Sequence, residues 1–214
     1  MEIYHSEEEQ LEAIKRWWKE NGPSAIVGVA IGAALILGYN LWQDHRRGQS
    51  EQASALYQEM VKATESKQIE SAEKLNERIA QNYDGTVYAT FARLAQAKLK
   101  ADGGDMAAAR RMLEAVLSSS VEDKFKHIAR IRLGQVLLEV NEAPAALDLV
   151  EKAQAKGFGA FERDYELLKG DIYSALNRRD EARVAYQAAQ RLGAASAALE
   201  MKLDEFGGAQ EPAH

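Results

Sequence analysis

Apolar and polar positions are distributed unevenly along the chain. One run, Ser24–Trp42, holds 19 residues without a charge, whereas the residues after it alternate charged and apolar positions. A helix of that length is roughly 28 Å long, close to the roughly 30 Å of hydrocarbon in a bilayer. The pattern therefore predicts one membrane-spanning helix at residues 24–42, followed by a larger helical domain.

Two other interpretations of the apolar run are a buried core helix and a cleaved signal peptide. A core helix carries a polar stripe, and this run has none. A signal peptide begins with a short basic region, whereas more than twenty residues precede this run and Glu outnumbers Lys and Arg among them. Ala53-Ser54-Ala55 resembles a cleavage site, but Asp44, Arg46 and Arg47 separate it from the run. We therefore expect an uncleaved anchor.

Basic residues flank the run on both sides, with Lys15, Arg16 and Lys19 before it and Arg46 and Arg47 after it. Because cytoplasmic flanks carry the excess of Lys and Arg, this count favours a cytoplasmic N-terminus. The excess is a single residue, so the charges leave both orientations open.

Small residues recur every four positions in the run, at Ser24, Gly28 and Gly32, and share one face of the helix. Such a face allows a second membrane helix to approach closely. It is a candidate contact surface for another membrane protein. The alternative is the ordinary glycine content of membrane helices.

The domain after the run repeats itself. Ala109, Ala146 and Ala182 are separated by 37 and 36 residues. The same offsets link other columns: Ala97, Gly134 and Gly170; Leu94, Ile131 and Leu167; Leu99, Val136 and Ile172; Leu113, Val150 and Tyr186; Val116, Ala153 and Ala189; and the turn positions Gly104, Asn141 and Asn177. Paired helices with small residues at their contacts are typical of tetratricopeptide-type repeats. The predicted fold class is all-α, with a single N-terminal transmembrane helix followed by a tetratricopeptide-like helical-repeat domain.

Helices near Ser50–Ser66 and Ser71–Asn82 are predicted to form an earlier, degraded unit, with Ala72 in the column of Ala109. A terminal capping helix is predicted at Glu200–Phe206, with a possible start near Ala194 and an apolar face of Leu199, Leu203 and Phe206. The predicted organisation is an N-terminal segment at 1–23, the membrane helix at 24–42, the repeat domain at 43–206 and a flexible tail at 207–214.

Composition and motifs argue against catalysis. The net charge of −6 disfavours a nucleic-acid binder, and the absence of cysteine excludes disulfides and thiol chemistry. The histidines are scattered at His5, His45, His127 and His214, with no second ligand at metal spacing; we expect His127 on a helix surface. No catalytic triad, phosphate loop or dinucleotide fingerprint is present. We therefore predict a protein that is not an enzyme and needs neither cofactor nor metal.

Helical repeats act by binding, and the first helix of each pair lines a concave surface. Here that surface is unusually apolar, which marks an interaction site for an extended polypeptide or for a partner's apolar segment. The alternative is that the terminal helix or the first helix covers it. The candidate groove residues are Phe91, Leu94, Ile128, Ile131, Leu138, Leu167 and Leu168.

The N-terminus MEIYHSEEEQLEAIKRWWKENG, followed by a glycine-rich span, resembles the YfgM family of bacterial inner-membrane proteins. The most specific stretches are Met1–Tyr4, Glu12, Lys15-Arg16 and Glu20-Asn21-Gly22. LEMKLDEF at residues 199–206 resembles the terminal helix of the family. The resemblance covers essentially the whole chain.

This resemblance implies a cytoplasmic N-terminus, a single span and a periplasmic domain, and it supplies the orientation that the charges leave open. It also implies a non-enzymatic accessory role at the Sec translocon, with a PpiD-like membrane-anchored chaperone, exported client polypeptides and a cytoplasmic stress-response regulator as partners. The alternative function is a membrane-anchored scaffold for another envelope assembly complex.

Overall fold

The computed structural model describes residues 7–155 and 157–207, and the described residues contain helices but no strand. The first helix, α1, runs from Glu7 to Glu65 and contains the predicted span. Compact units divide between Gln52 and Ala53, and the predicted boundary at residues 42 and 43 falls inside α1. Met1–Tyr4, His5, His214 and the predicted tail beyond Gly207 lie outside the described residues.

Helices of 11 to 17 residues follow α1. They are α2 (Ile69–Asn82), α3 (Val87–Asp102), α4 (Met106–Ser118), α5 (Asp123–Glu139), α6 (Ala143–Gln154), α7 (Glu162–Ala175), α8 (Arg179–Arg191) and α9 (Ala197–Gly207), with a short 3-10 turn at Gly159–Phe161 before α7. Side-chain caps begin α3 and α4, because Thr86 accepts a hydrogen bond from the Ala89 N–H and Asp105 from the Ala108 N–H. This all-α architecture confirms the predicted fold class.

The repeat unit is visible in the backbone of its turns. Gly104, Asn141 and Asn177 have φ values of 84°, 61° and 59°, and Lys67 joins them at 57°. In each turn the next residue donates its N–H to the carbonyl five positions earlier, and all four hydrogen bonds are 2.8 Å long. This is the Schellman termination of a helix. The part of α1 at residues 53–65 therefore pairs with α2 as the first unit, with the same turn as the later ones.

Small side chains allow the paired helices to pack closely. Ala72, Ala109, Ala146 and Ala182 occupy the same position in the second helix of their units, and each is at most 1% exposed. The predicted placement of Ala72 in this column is therefore consistent with its burial. The interior of the domain is formed by such positions together with larger neighbours from the adjoining helices, among them Ile79, Leu113, Val150 and Ile172.

The terminal helix α9 covers the end of the last repeat pair. Ser196 accepts a hydrogen bond from the Leu199 N–H at its start. Leu199 and Phe206 are buried, and Leu203 packs beside them against α8 residues Ala182 and Tyr186. The predicted apolar face of this helix is therefore the face that it buries.

Candidate functional site

A groove of about 440 Å³ lies between α5, α7 and α9. Apolar side chains of α5 and α7 form its floor, and α9 supplies one wall. We call it the α5–α7 groove. Its lining residues are Ile128, Ile131, Arg132, Gln135, Phe161, Asp164, Leu167, Leu168, Asp171, Ser196, Ala198, Leu199 and Lys202.

A glycine sets the spacing of the floor. A Cβ atom built on Gly134 in α5 would lie 2.6 Å from Cδ2 of Leu168 in α7. Any larger residue at position 134 would therefore push Leu168 away from α5. The two helices come this close because position 134 carries no side chain, and the groove floor is continuous as a result.

Polar groups at the α9 side of the groove satisfy one another. Asp171 accepts a hydrogen bond of 2.6 Å from the Tyr186 hydroxyl and is also bonded to Nζ of Lys202. Burial raises the pKa of the Tyr186 phenol, and the neighbouring Asp171 carboxylate raises it further. These contacts hold the wall helix α9 against α7.

Arg132 occupies a different part of the groove. Its Nη1 donates a hydrogen bond of 2.8 Å to the backbone carbonyl of Leu94 in α3. Burial lowers the pKa of its guanidinium, which nevertheless stays charged because the pKa of a free arginine exceeds 12. The groove therefore combines an apolar floor with the half-buried cation of Arg132, beside Lys202, which is bonded to Asp171.

The structure separates the seven predicted groove residues into two sets. Ile128, Ile131, Leu167 and Leu168 line the groove. The others, Phe91, Leu94 and Leu138, lie outside it. Leu94 is only 4% exposed and belongs to the interior, and Leu138 is packed against the same interior.

Phe91 lies at one end of the concave face, where side chains of the domain itself pack against it. Its ring centroid lies 5.8 Å from that of Tyr57, in the 53–65 part of α1, and 5.4 Å from that of Phe125. These neighbouring rings leave Phe91 only partly exposed. The open part of this face is thus the α5–α7 groove.

The predicted membrane helix exposes its apolar side chains. Within the described residues, α1 is the helix long and apolar enough to cross a membrane. A Cβ atom on Gly28 or Gly32 would meet no other atom within 4 Å, so the face that they share with Ser24 is unobstructed. The exposed apolar residues are Ile26, Val27, Val29, Ile31, Leu35, Ile36, Leu37 and Leu41.

Comparison with known proteins agrees with both parts of this architecture. Residues 15–208 match the family described as a tetratricopeptide repeat-like domain, a stretch that includes the apolar run. A Haemophilus influenzae protein named ancillary SecYEG translocon subunit is 32% identical over 87% of this chain and 90% of its own length. The chain belongs to this family.

Other members carry the same name. The Escherichia coli K12 protein is 28% identical over 94% of this chain and 95% of its own length, and the Neisseria gonorrhoeae protein is 28% identical over 96% and 100%. These relatives confirm the resemblance to the YfgM family that the N-terminal sequence indicated. No solved structure is a significant match to the chain.

This family member also contains an aromatic cluster that its sequence did not reveal. His127, expected on a helix surface, is half-buried, and its ring stacks on Phe161 with centroids 5.1 Å apart. Its Nδ1 lies 3.0 Å from the hydroxyl of Tyr165, to which Arg130 also donates a hydrogen bond. Burial and the Arg130 cation lower the pKa of His127. These contacts join residues 38 and 35 positions apart, which no local pattern marks.

Among the described residues, no group of three or more His, Cys, Asp or Glu side chains is placed to hold a metal ion. The polar groups that do converge, such as Asp171, Tyr186 and Lys202, bond to one another and fix helices in place. A feature of this domain that is open to a partner is the α5–α7 groove.

Proposed function

We propose that this chain is a non-enzymatic accessory subunit of the Sec translocon that binds polypeptide in its α5–α7 groove. The observation that carries this proposal is an open groove with an apolar floor, in a protein whose relatives are named ancillary SecYEG translocon subunits. Large unfilled apolar surfaces mark interaction sites. The occupant is a segment of a PpiD-like membrane-anchored chaperone or of an exported polypeptide.

The proposed topology places the repeat domain in the periplasm and residues 1–23 in the cytoplasm. The flanking charges favour this orientation by one residue, with Lys15, Arg16 and Lys19 on the cytoplasmic side. In this arrangement the short N-terminal segment is available to a cytoplasmic stress-response regulator, and the groove is available to chains that leave the translocon.

The span is proposed to contact a membrane helix of the translocon through Ser24, Gly28 and Gly32. Because Cβ atoms on the two glycines would meet nothing, a second helix can approach this face closely. Gly28→Leu with Gly32→Leu should reduce co-purification of SecYEG from detergent-solubilised membranes. Ala30→Leu, on the opposite side of the helix, is the control and should not.

Site-specific photocrosslinking in intact cells tests the groove. A photoreactive amino acid at Ile131 or Leu167 should give adducts with a translocon-associated chaperone or with exported chains in transit. Lys152, in α6 and outside the groove lining, is the control position. Adducts from Lys152 equal to those from Leu167, or only intramolecular products from the groove positions, would contradict polypeptide binding in the groove.

A further inference from the structure

Arg132 is an incomplete ion pair. It is half-buried, and its Nη1 bonds to a neutral backbone carbonyl, that of Leu94. Within the part of the chain that the structure describes, no carboxylate pairs with it or raises its pKa, and the phenol of Tyr57 opposes the effect of burial only in part. A buried charge is costly unless a counter-charge compensates it.

Two other arginines of the domain, Arg110 and Arg178, are paired with carboxylates. Arg110 contacts Glu114 and Glu142, and Arg178 contacts Glu181, so that carboxylates raise the pKa of both guanidinium groups. The side chains of Arg110 and Arg178 are 42% and 44% exposed, and an ion pair contributes little at such positions. The arginine that faces the groove is the one in which burial lowers the pKa and no carboxylate opposes it.

The carboxylates nearest the groove are already engaged. Asp171 is bonded to Tyr186 and Lys202, and Asp164 pairs with Arg163 at 3.2 Å. Among the described residues Arg132 makes one hydrogen bond, through Nη1, so its other N–H donors can bond to a group that enters the groove. A guanidinium in a partly desolvated site binds a carboxylate through two parallel hydrogen bonds.

Apolar residues surround this cation. Ile128 lies one helical turn before Arg132 on α5, and Ile131 is adjacent to it, while Leu167 and Leu168 form the floor from α7. Gln135 continues the lining about one turn beyond. Because lining residues both precede and follow Arg132 along α5, a bound chain has room to continue past this residue. This arrangement suits a carboxylate on a side chain within a segment, not one at a chain terminus.

We propose that the α5–α7 groove selects a partner segment in which an Asp or Glu side chain stands among apolar residues, with the carboxylate paired to Arg132. This inference rests on the proposed function, because it names the chemistry of the polypeptide that the groove binds. It adds a requirement for one acidic side chain to the requirement for apolar contact.

Selection from a random library tests the requirement without assuming a partner. Twelve-residue segments displayed internally on phage would be selected on the full-length protein in lipid nanodiscs. The wild-type protein should enrich Asp or Glu flanked by apolar residues, and Arg132→Gln should lose the acidic preference but keep the apolar one. Arg191→Gln removes an exposed positive charge outside the groove lining and should leave both preferences unchanged.

A single recovered segment then measures how much the carboxylate contributes to binding affinity. Synthesised with an amidated C-terminus, its Glu form should bind the wild-type protein about tenfold more tightly than its Gln form, as expected for a charge-assisted hydrogen-bonded pair. Fluorescence anisotropy measures both. The ratio should fall to about one with Arg132→Gln and remain above one with Arg132→Lys, which retains the charge but loses the paired geometry.

The outcomes separate this inference from the proposed function. Equal binding of the Glu and Gln forms to the wild-type protein, with loss of both in Leu167→Asp, would overturn the acidic requirement and leave polypeptide binding intact. A preference for a free C-terminal carboxylate over an internal Glu would also overturn it. Enrichment on the wild-type protein no greater than on Leu167→Asp would overturn both. The comparison of peptides on the wild-type protein does not depend on how any variant folds.

Discussion

Gly170 of α7 faces the ring of Tyr186 in α8 so closely that a Cβ atom at position 170 would lie 2.8 Å from Cζ and nearer still to the ring edge. Tyr186 is 1% exposed and is held by its hydrogen bond to Asp171, so the ring has no room to withdraw. Gly170→Ala should therefore lower the free energy of unfolding by about 1–3 kcal/mol, as overpacking does. Urea denaturation of the full-length protein in detergent micelles measures this change in the free energy of unfolding.

Gly134→Ala is the matched comparison. The atom that a Cβ would approach there is Cδ2 of Leu168, at the end of a flexible side chain. Moving this methyl group costs little, and alanine is favoured over glycine in a helix by about 1 kcal/mol. The stability should change by less than in Gly170→Ala. Equal losses in the two variants would mean that the rigidity of Tyr186 is not the cause.

The left-handed turn at Lys67 offers a stabilising substitution. Its φ of 57° is a conformation that costs an ordinary side chain about 1 kcal/mol and glycine almost nothing. Lys67→Gly should therefore raise the free energy of unfolding. Lys74→Gly, inside α2, should lower it by a similar amount. A lower urea midpoint for Lys67→Gly would show that the turn does not keep this conformation in solution.

His127 makes the domain sensitive to mild acid. Burial and the Arg130 cation lower its pKa below the usual 6.5, and Asp123 opposes them only in part. The unfolded chain therefore binds a proton more readily than the folded one, so this contribution to stability is present above about pH 6.5 and is lost as the pH falls. Urea midpoints at pH 7.5 and 5.5 should differ more in the wild-type protein than in His127→Gln.

Arg130→Gln refines the same experiment. Removing this cation should raise the pKa of His127 and weaken the pH dependence, provided that the bond between His127 and Tyr165 remains. NMR titration of the His127 ring follows the pKa directly. An unchanged or lower pKa in Arg130→Gln would contradict the electrostatic part of this account.

Two buried amides are predicted to be energetically coupled. Nδ2 of Asn76 donates to Oε1 of Gln96, and both residues are less than 7% exposed. Asn76→Leu leaves the Gln96 oxygen without this partner, which costs about 1–3 kcal/mol. The double variant with Gln96→Met removes both polar groups, so its loss should be smaller than the sum of the single losses by about 1 kcal/mol. Strict additivity in the urea midpoints would contradict the coupling.

The sequence carried enough information for the repeat because the same packing problem recurs. Ala109, Ala146 and Ala182 are small because two helices meet at each of them, and this requirement leaves a regular mark on the chain. Lys67 was not identified as a turn residue because lysine, unlike glycine or asparagine, is not typical of the left-handed conformation that it adopts here. The shared backbone geometry, rather than the residue type, identifies the first unit.

The groove could be predicted only in part, for a different reason. Apolar residues on the first helices were expected to line one concave face, but whether each is exposed depends on contacts between distant positions. Phe91 packs beside Tyr57 and is partly buried, and Leu94 is buried in the interior, although both lie in the same pattern as Ile131. The position of Arg132 in the groove could not be predicted, because an isolated arginine in a helical sequence looks like any solvent-exposed residue until its spatial neighbours are known.

The helix α9 buries its own Leu199 and Phe206 against α8, and this contact has a consequence for association between molecules. The last repeat pair would otherwise present Ala182, Tyr186 and Ala189 as the same kind of surface that earlier pairs bury against each other. A chain that ended before Ala197 would expose this apolar surface. Two copies could then stack through it, and further copies could add to form linear aggregates. The terminal helix α9 therefore covers a surface through which two copies could otherwise stack.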